Sequence, residues 1–208
     1  METLRFAPAL LSLSAAGLLA IAGYEGFRAS AYNDGAGVQT IGYGTTQYDT
    51  GAPVRAGDKI TPDRALVQLG AAASRTEQRL AACIAVPLAS REWDALVSWA
   101  YNIGTGAACQ STLVRRLNAG DYNAPCVELP KWNRAGGRVL TGLVKRRAAE
   151  VRMYGCNDVP PTFAPAAQGA SVTHCPPEGG CRPPLGGHAA GDVAVFEKQR
   201  EREETADD

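Results

Sequence analysis

The stretch from Glu25 to Gly44 constrains the fold of this chain more than any other part of its sequence. Its Asn-Asp-Gly triplet at 33–35 follows Tyr32 and precedes a β-branched segment, which is a strong local signal for a tight hairpin turn. The glycines that close the stretch allow the backbone to turn or to approach a ligand closely. These signals predict a helix end at Glu25 and a β-hairpin that places Asp34 on a loop or strand end.

Three side chains of this stretch are suited to cleaving a glycosidic bond. Glycoside hydrolysis uses two carboxyl groups in unequal environments, because one must donate a proton to the leaving oxygen while the other stays ionised. Glu25, beside the apolar Tyr24 and Phe27, is the candidate for the protonated acid, and Asp34 is the candidate for the charged group. Thr40 offers a hydroxyl that can hold a water or a sugar group. The spacing of the carboxylates alone is unspecific, since a helix acid and an Asx-turn aspartate would look the same.

The whole string resembles the catalytic signature of the phage-type lysozymes, the endolysins of glycoside hydrolase family 24. In that signature a Glu is followed nine residues later by an Asp, and six residues further by a Thr that opens Thr-x-Gly-x-Gly. Glu25, Asp34 and Thr40 occupy these positions here. Further matches follow in chain order at 99–104, 111–113, 117–122, 132–137, 142–143 and 146–150. The resemblance covers about residues 24 to 157.

The resemblance implies an α+β, lysozyme-like fold with a small β-hairpin or sheet lobe and a larger helical lobe, preceded by an N-terminal apolar helix. It implies a muramidase without a cofactor that hydrolyses the β-1,4 bond between N-acetylmuramic acid and N-acetylglucosamine of peptidoglycan, for host cell lysis. Glu25 would be the general acid, and Asp34 and Thr40 would position water or stabilise the oxocarbenium-like state. Two alternatives remain. One is a lytic transglycosylase, which cuts the same bond with one Glu and no water, and the other is a catalytically silent, membrane-anchored peptidoglycan-binding protein.

Further contacts with the substrate are expected from Tyr32, Asn102 and Arg147. The family places an arginine of its last helical segment near the catalytic Glu; Arg147 is the favoured match and Arg146 the alternative. For most of the basic cluster around these two residues, a solvated helix face is the simpler interpretation. Asn102 either ends the helix that begins at Ser90 as a C-cap, or faces the glycan cleft.

No charged residue occurs between positions 6 and 24, a run just long enough to span a bilayer. Three interpretations are open. A cleaved signal peptide would leave Glu25 on a frayed terminus. A buried first helix would be long and apolar on all sides for so small a domain. The favoured interpretation, suggested by the resemblance, is an uncleaved signal-anchor-release segment, which places the protein first in the host inner membrane and then in the periplasm.

The chain divides into three parts on this basis. Residues 1–23 form the anchor, residues 24–157 the catalytic domain, and residues 158–208 a Pro-, Gly- and Ala-rich tail that is predicted to be disordered. Within the catalytic part, Thr61 and Pro62 begin a helix that extends to about Ala82 and links the two lobes.

The six cysteines suggest disulfides formed outside the cytoplasm. Four of them, Cys83, Cys109, Cys126 and Cys156, lie within the catalytic part and can pair in three ways. We favour Cys109 with Cys126, which joins neighbouring short helices, and Cys83 with Cys156, which ties the last helix to the linker.

Composition limits the partners. The 21 basic and 21 acidic residues cancel, so no general basic field favours nucleic acid, and a neutral glycan is compatible with the charge. The two histidines, His174 and His188, fit no standard zinc spacing with the cysteines of the tail, so no metal is expected. We expect a monomer that acts on glycan strands.

Overall fold

The computed structural model describes residues 4–34 and 37–156. The predicted tail after residue 157 lies outside the described residues. In chain order, the elements are α1 Ala15–Glu25, β1 Arg28–Asn33, β2 Gln39–Gly42, α2 Pro62–Ala81, α3 Ser90–Ile103, α4 Thr105–Gln110, α5 Thr112–Asn118, α6 Ala124–Glu128, β3 Arg134–Ala135, β4 Arg138–Val139 and α7 Thr141–Tyr154. Short 3-10 helices lie at Pro8–Leu10 and Leu129–Lys131.

The small lobe contains the hairpin that the sequence predicts. Strands β1 and β2 are antiparallel, with Tyr32 opposite Thr40. Strand β1 ends at Asn33 and β2 begins at Gln39, so the strands are farther apart in sequence than the tight turn expected from the Asn-Asp-Gly triplet would place them. The side chain of Asn33 accepts a hydrogen bond from the amide of Gly37 at 3.0 Å, and Asp34 Oδ1 accepts one from the amide of Val38 at 3.1 Å. These side-chain bonds close the larger loop.

A small apolar cluster under the hairpin holds it against the start of α2. Its buried members are Ile41, Val54, Ile60 and Ala65. Gly42 has a φ of 63°, and a Cβ at this position would lie 2.9 Å from the Cβ of Ala65. Glycine is therefore required here both by the backbone conformation and by the close approach of α2.

Helix α2 links the two lobes, as predicted. It begins at Pro62, immediately after Thr61, and its 20 residues are about 30 Å long. Ala65 packs in the small-lobe cluster, whereas Leu69 and Leu80 pack in the main core. The two lobes are thus joined by one helix that contributes to both cores.

The helical lobe is built around α3. Most of this helix is buried, including Trp93, Trp99 and Ile103. It packs most extensively against α7 and also against α1 and α2. Because of the central position of α3, four of its polar side chains, Glu92, Asp94, Ser98 and Asn102, are buried, and two of these, Ser98 and Asn102, belong to the site described below.

The charge-free run at the N-terminus is not one continuous helix in this structure. Phe6 pairs with Leu88 through two backbone hydrogen bonds of 2.8 Å, a 3-10 turn follows, and α1 begins only at Ala15. The run lies against the helical lobe, and α1 is the first helix of that lobe. Among the residues described, we find no helix with the length and apolarity needed to cross a membrane.

The favoured disulfide pairing is wrong. The structure pairs Cys83 with Cys109 and Cys126 with Cys156, each with a Cα–Cα distance of 5.7 Å. The reason is helix packing, since the end of α2 lies beside α4, and α6 lies beside α7. Proximity in sequence between Cys109 and Cys126 was misleading because α5 lies between them.

A second hairpin, β3–β4, was not predicted from the sequence. Its two-residue turn consists of Gly136 and Gly137, which have φ values of 52° and 78°. Two positive φ angles are what the favoured hairpin turn of this length requires, so the Gly-Gly pair was a usable signal.

Candidate active site

Glu25 is the last residue of α1, where the sequence predicts a helix end. Gly26 follows as the C-cap with a φ of 64° and turns the chain toward β1. The Glu25 side chain is 13% exposed, and its Oε1 accepts a hydrogen bond from Nη1 of Arg146 at 3.1 Å. Its carboxyl group is thus oriented by a specific donor while it keeps access to the surface.

Arg146 is fixed by all three of its guanidinium nitrogens. Besides Nη1 on Glu25, Nε donates to Glu150 at 3.2 Å and Nη2 donates to the carbonyl of Ser98 at 3.0 Å. The guanidinium carbon lies 4.7 Å from the centre of the Tyr24 ring, within the range of a cation–π contact. The arginine beside Glu25 is therefore Arg146, and the favoured assignment of Arg147 to that place is wrong.

Arg147 points to the other side of the same buried cluster. Its Nη2 donates to Asn102 Oδ1 at 2.8 Å and to Glu150 Oε1 at 3.2 Å. Its Nε also lies 2.9 Å from Glu150 Oε2 but is not aligned for a hydrogen bond. Burial, opposed by the charge of Glu150 and reinforced by that of Arg146, lowers the pKa of Arg147 to about 10. The group stays protonated at neutral pH.

Asn102 does not cap α3, because the helix ends at Ile103 with Gly104 as its C-cap. Asn102 is buried and bonded to Arg147, which is also buried. In this structure neither side chain faces the surface. Arg146 and Arg147 are likewise not part of a solvated helix face, whereas Arg138 and Lys145 are exposed.

Glu150 connects the two arginines. It is completely buried, and its Oε1 accepts hydrogen bonds from Arg146, Arg147 and the hydroxyl of Ser98, the last at 2.8 Å. The buried charges of Arg146, Arg147 and Glu150 thus each contact a group of opposite charge. Such pairing is needed because a buried ion without partners is strongly destabilising.

Asp34 and Thr40 lie together at the loop end of the first hairpin. Asp34 is half-buried, and both its amide and its Oδ1 bond to the backbone of Val38. Thr40 is completely buried, and its hydroxyl lies 3.4 Å from the carbonyl of Val38, at the limit of a hydrogen bond. Tyr32, opposite Thr40, projects from the same face of the hairpin.

The hairpin follows Glu25 almost directly. Only Gly26 and Phe27 separate α1 from β1, and the ring centre of Phe27 lies 5.5 Å from that of Tyr43. The pairing register shifts between Arg28 and Tyr32, a bulge of the kind that bends a strand. The structure thus forms two groups, Glu25 with Arg146 and Asp34 with Thr40, joined by a short bent hairpin.

Comparison with known proteins identifies the family of this chain. The phage lysozyme family model matches residues 22–150. The chain belongs to the phage lysozyme family.

Relatives and solved structures agree with the family. The chain is 38% identical over 148 residues to an endolysin of Acyrthosiphon pisum secondary endosymbiont phage 1, covering 69% of this chain and 98% of the relative. It is 38% identical over 148 residues to a SAR-endolysin of Pseudomonas phage phiKMV, covering 69% and 87%. It spans just over half, 54% and 55%, of two Bacillus phage endolysins. The structure of an endolysin from Escherichia coli O157:H7 phage FAHEc1 is similar, with a TM-score of 0.65 and 39% identity over 73% of this chain and 98% of that one.

As a phage lysozyme the protein is a glycoside hydrolase with the lysozyme-like α+β fold, as expected from the sequence. Sequence reasoning missed the roles of Glu150 and Ser98 in this lysozyme. Arg147 and Arg146 precede Glu150 by three and four residues, which places both within reach of Glu150 on a helix. That spacing was a usable signal for the charge cluster, whereas the contact with Ser98 depends on how α3 and α7 pack.

Proposed function

We propose that this protein is an endolysin that hydrolyses the β-1,4 bond between N-acetylmuramic acid and N-acetylglucosamine in peptidoglycan. The observation that carries the proposal is the placement of Glu25. This residue is the last of a helix and is partly exposed, and a buried arginine binds its carboxyl group. The hairpin that carries Asp34 and Thr40 begins three residues after it. A carboxyl group that is both oriented and accessible is what a general acid needs.

In the proposed reaction, Glu25 donates its proton to the glycosidic oxygen as the bond to the sugar breaks. Arg146 holds one carboxyl oxygen, which fixes the direction in which the group faces the substrate. Asp34, on the polar loop, offers negative charge to the oxocarbenium-like transition state, and together with Thr40 positions the water that completes hydrolysis. The two hairpin residues share the Val38 backbone as a common support.

The other residues expected at the substrate have different roles in this proposal. Tyr32 lies on the hairpin face next to Thr40 and is the candidate for direct contact with the glycan. Asn102 and Arg147 are buried, so we assign them to the support of Glu150 and, through it, of Arg146. Glycan strands remain the proposed partner, and the lysozyme is proposed to act as a monomer.

We also propose that residues 1–23 are first a membrane anchor and later part of the folded enzyme, with residues 24–157 as the catalytic domain and 158–208 as an accessory tail. The relatives named SAR-endolysins support an anchored and then released form in the periplasm. The charge-free run supports it as well. Even when packed on the lobe, this segment leaves the large apolar side chains Leu4, Phe6, Leu10 and Leu19 exposed.

The test of the activity is mass spectrometry of purified cell wall digested by the full-length protein. Hydrolysis leaves muramic acid at the reducing end of the products. Products with 1,6-anhydro ends would identify a lytic transglycosylase instead. Absence of soluble products from a folded protein, with retained binding to the cell wall, would identify a peptidoglycan-binding protein and contradict the proposal.

A further inference from the structure

Three polar side chains form a stripe along the buried helix α3. Asp94, Ser98 and Asn102 follow one another at i, i+4 and i+8, so they share one face of the helix. All three are buried, with 7%, 0% and 2% of their surface exposed. Polar groups in such a core are expected to be bonded, and each of these bonds to a different part of the molecule. We call them the α3 stripe.

The first member of the α3 stripe holds the beginning of α1. Asp94 Oδ1 accepts a hydrogen bond from the amide of Ser14 at 2.8 Å, and Oδ2 accepts one from the hydroxyl of Ser14 at 2.6 Å. Ser14 is the N-cap of α1, and its hydroxyl oxygen in turn accepts a bond from the amide of Gly17 at 3.1 Å. Asp94 therefore binds the residue that starts the helix.

The second member holds the other end of the same helix. Ser98 bonds through its hydroxyl to Glu150 and through its carbonyl to Arg146, and Arg146 bonds to Glu25 at the last position of α1. Both ends of the 11-residue helix α1 are thus bonded to α3. Its first end bonds directly to Asp94, and its last residue bonds through Arg146 to Ser98, four positions further along α3. The Arg146 contact orients the Glu25 carboxyl group, but it does not fix where the helix axis lies.

We propose that Asp94 is a positioning residue for Glu25. By holding the N-cap of α1, Asp94 sets the placement of that helix on α3, and with it the distance between the Glu25 carboxyl group and the glycosidic oxygen. The inference rests on the proposed function in taking Glu25 as the general acid. It assigns to Asp94 no contact with the substrate.

The packing between Asp94 and α1 leaves no free space. A Cβ built on Gly17 would lie 2.6 Å from a terminal methyl of Leu13 and 2.9 Å from the carboxyl carbon of Asp94. The Leu13 methyl can move, but the Asp94 carboxylate is bound to Ser14 through both oxygens. A methyl group at position 17 would therefore push α1 away from Asp94. At Gly23, in the same helix, a Cβ would meet nothing within 4 Å.

The experiment measures kcat and KM separately on a soluble, defined peptidoglycan oligosaccharide, at a temperature where every variant is folded. Ser14→Ala and Asp94→Ala should each lower kcat by about tenfold to a hundredfold, because small misplacements of a catalytic group have effects of this size. KM should change by less than about twofold, since Asp94 does not touch the sugar. The double variant should lose no more than the worse single variant, and Ser14→Thr should retain most of the activity.

Two matched controls separate positioning from simple destabilisation. Gly17→Ala should lower kcat as Ser14→Ala does, whereas Gly23→Ala should leave it unchanged. Glu128→Gln removes another buried carboxylate, one that binds Arg116 and Lys131 away from α1. It should lower the melting temperature and leave kcat unchanged. If Asp94→Ala fails to fold, the Ser14→Ala and Gly17→Ala variants still test whether the placement of α1 affects kcat.

The inference is overturned if the Asp94 and Ser14 variants keep wild-type kcat while melting earlier, or if the two losses multiply in the double variant. A wild-type protein that releases no products from cell wall would instead refute the proposed function, so the two failures are distinguishable.

Discussion

The carboxyl group of Glu25 is bound by an arginine whose three nitrogens all donate hydrogen bonds. This arginine is in turn neutralised by Glu150, which it shares with Arg147. At the scale of single residues, the candidate site is therefore a small network of ion pairs and hydrogen bonds in which Glu25 is the member that keeps access to the surface. The consequence is a division of roles, in which Glu25 reacts and the buried members determine its geometry.

Replacing Glu25 by Gln tests the reacting group. The amide keeps the size of the side chain but cannot donate a proton as an acid does, so the rate of cell-wall hydrolysis should fall by about 10²- to 10⁴-fold. The melting temperature should stay close to that of the wild type, because Gln can still accept a bond from Arg146. Retention of more than a tenth of the wild-type turnover would show that another residue is the acid.

Two matched arginine substitutions test the division of roles. Arg146→Lys removes the planar group that binds Glu25, Glu150 and Ser98 together, and should lower kcat by at least about tenfold. Arg147→Lys disturbs the same buried cluster but not the bond to Glu25, so its main effect should be a lower melting temperature. Turnover and thermal unfolding of both variants are the measurements. Equal losses of kcat would mean that the contact with Glu25 has no special importance.

At the scale of elements, the two disulfides determine how the short helices are held in the helical lobe. Cys83–Cys109 ties the end of α2 to α4, and Cys126–Cys156 ties α6 to the end of α7. The second bridge ties down the chain two residues beyond the end of α7, the helix that carries Arg146 and Glu150, so it stabilises the element that supports the active site. Neither bridge contacts Glu25 directly in the part of the chain that the structure describes.

Peptide mapping of the oxidised protein without reduction should therefore find Cys83 joined to Cys109, and Cys126 joined to Cys156. Removal of each bridge by a paired Cys→Ala substitution should lower the free energy of unfolding by about 2–4 kcal/mol, as expected for loops of this size. Denaturant unfolding measures the loss. Peptides joined through Cys109 and Cys126, or free thiols at all four positions before reduction, would contradict the structure.

Local signals in the sequence predicted the elements whose causes are local. The Asn-Asp-Gly triplet predicted the first hairpin, and Thr61 with Pro62 predicted the start of α2. The pairing of cysteines and the choice between Arg146 and Arg147 depend on which helices pack together and on a rotation of one residue along α7. A helical position differs by about 100° from the next, so the wrong arginine points to a different neighbour. These details require the tertiary structure.

At the scale of the whole molecule, the N-terminal segment is an integral part of the folded enzyme. Arg5 forms an ion pair with Glu92, Phe6 pairs with Leu88, and the amide of Leu13 bonds to Glu77. The segment thus contacts the helical lobe at several points along the chain before α1, the helix that ends at Glu25. If residues 1–23 are first held in a membrane, as proposed, Glu25 can reach Arg146 only after the segment leaves the bilayer. The anchored form should therefore be inactive.

This order of events can be tested by making the anchor more apolar without disturbing the folded state. Ala15 and Ala16 are exposed on α1, so a Leu side chain at either position can extend into solvent in the folded enzyme. In the bilayer each substitution adds about 2 kcal/mol of favourable burial, at about 0.8 kcal/mol per methylene equivalent. The Leu variant should remain in the membrane fraction after the membrane potential is dissipated. The wild-type protein, with its N-terminus still attached, should move to the periplasm as lysis begins.

The control places Ser at the same two positions, which makes this part of the anchor more polar and should speed release rather than block it. Purified Leu variant, refolded without lipid, should hydrolyse cell wall at the wild-type rate, because both substituted positions are exposed on the folded enzyme. Together these results would show that the Leu variant fails to lyse cells because it stays in the membrane, and not because its active site is damaged.

A periplasmic wild-type protein that begins at Gly23 would establish cleavage of a signal peptide. Most of α1, together with its Ser14 cap, would then be absent from the mature enzyme, and release from an anchor could not be the step that brings Glu25 to Arg146.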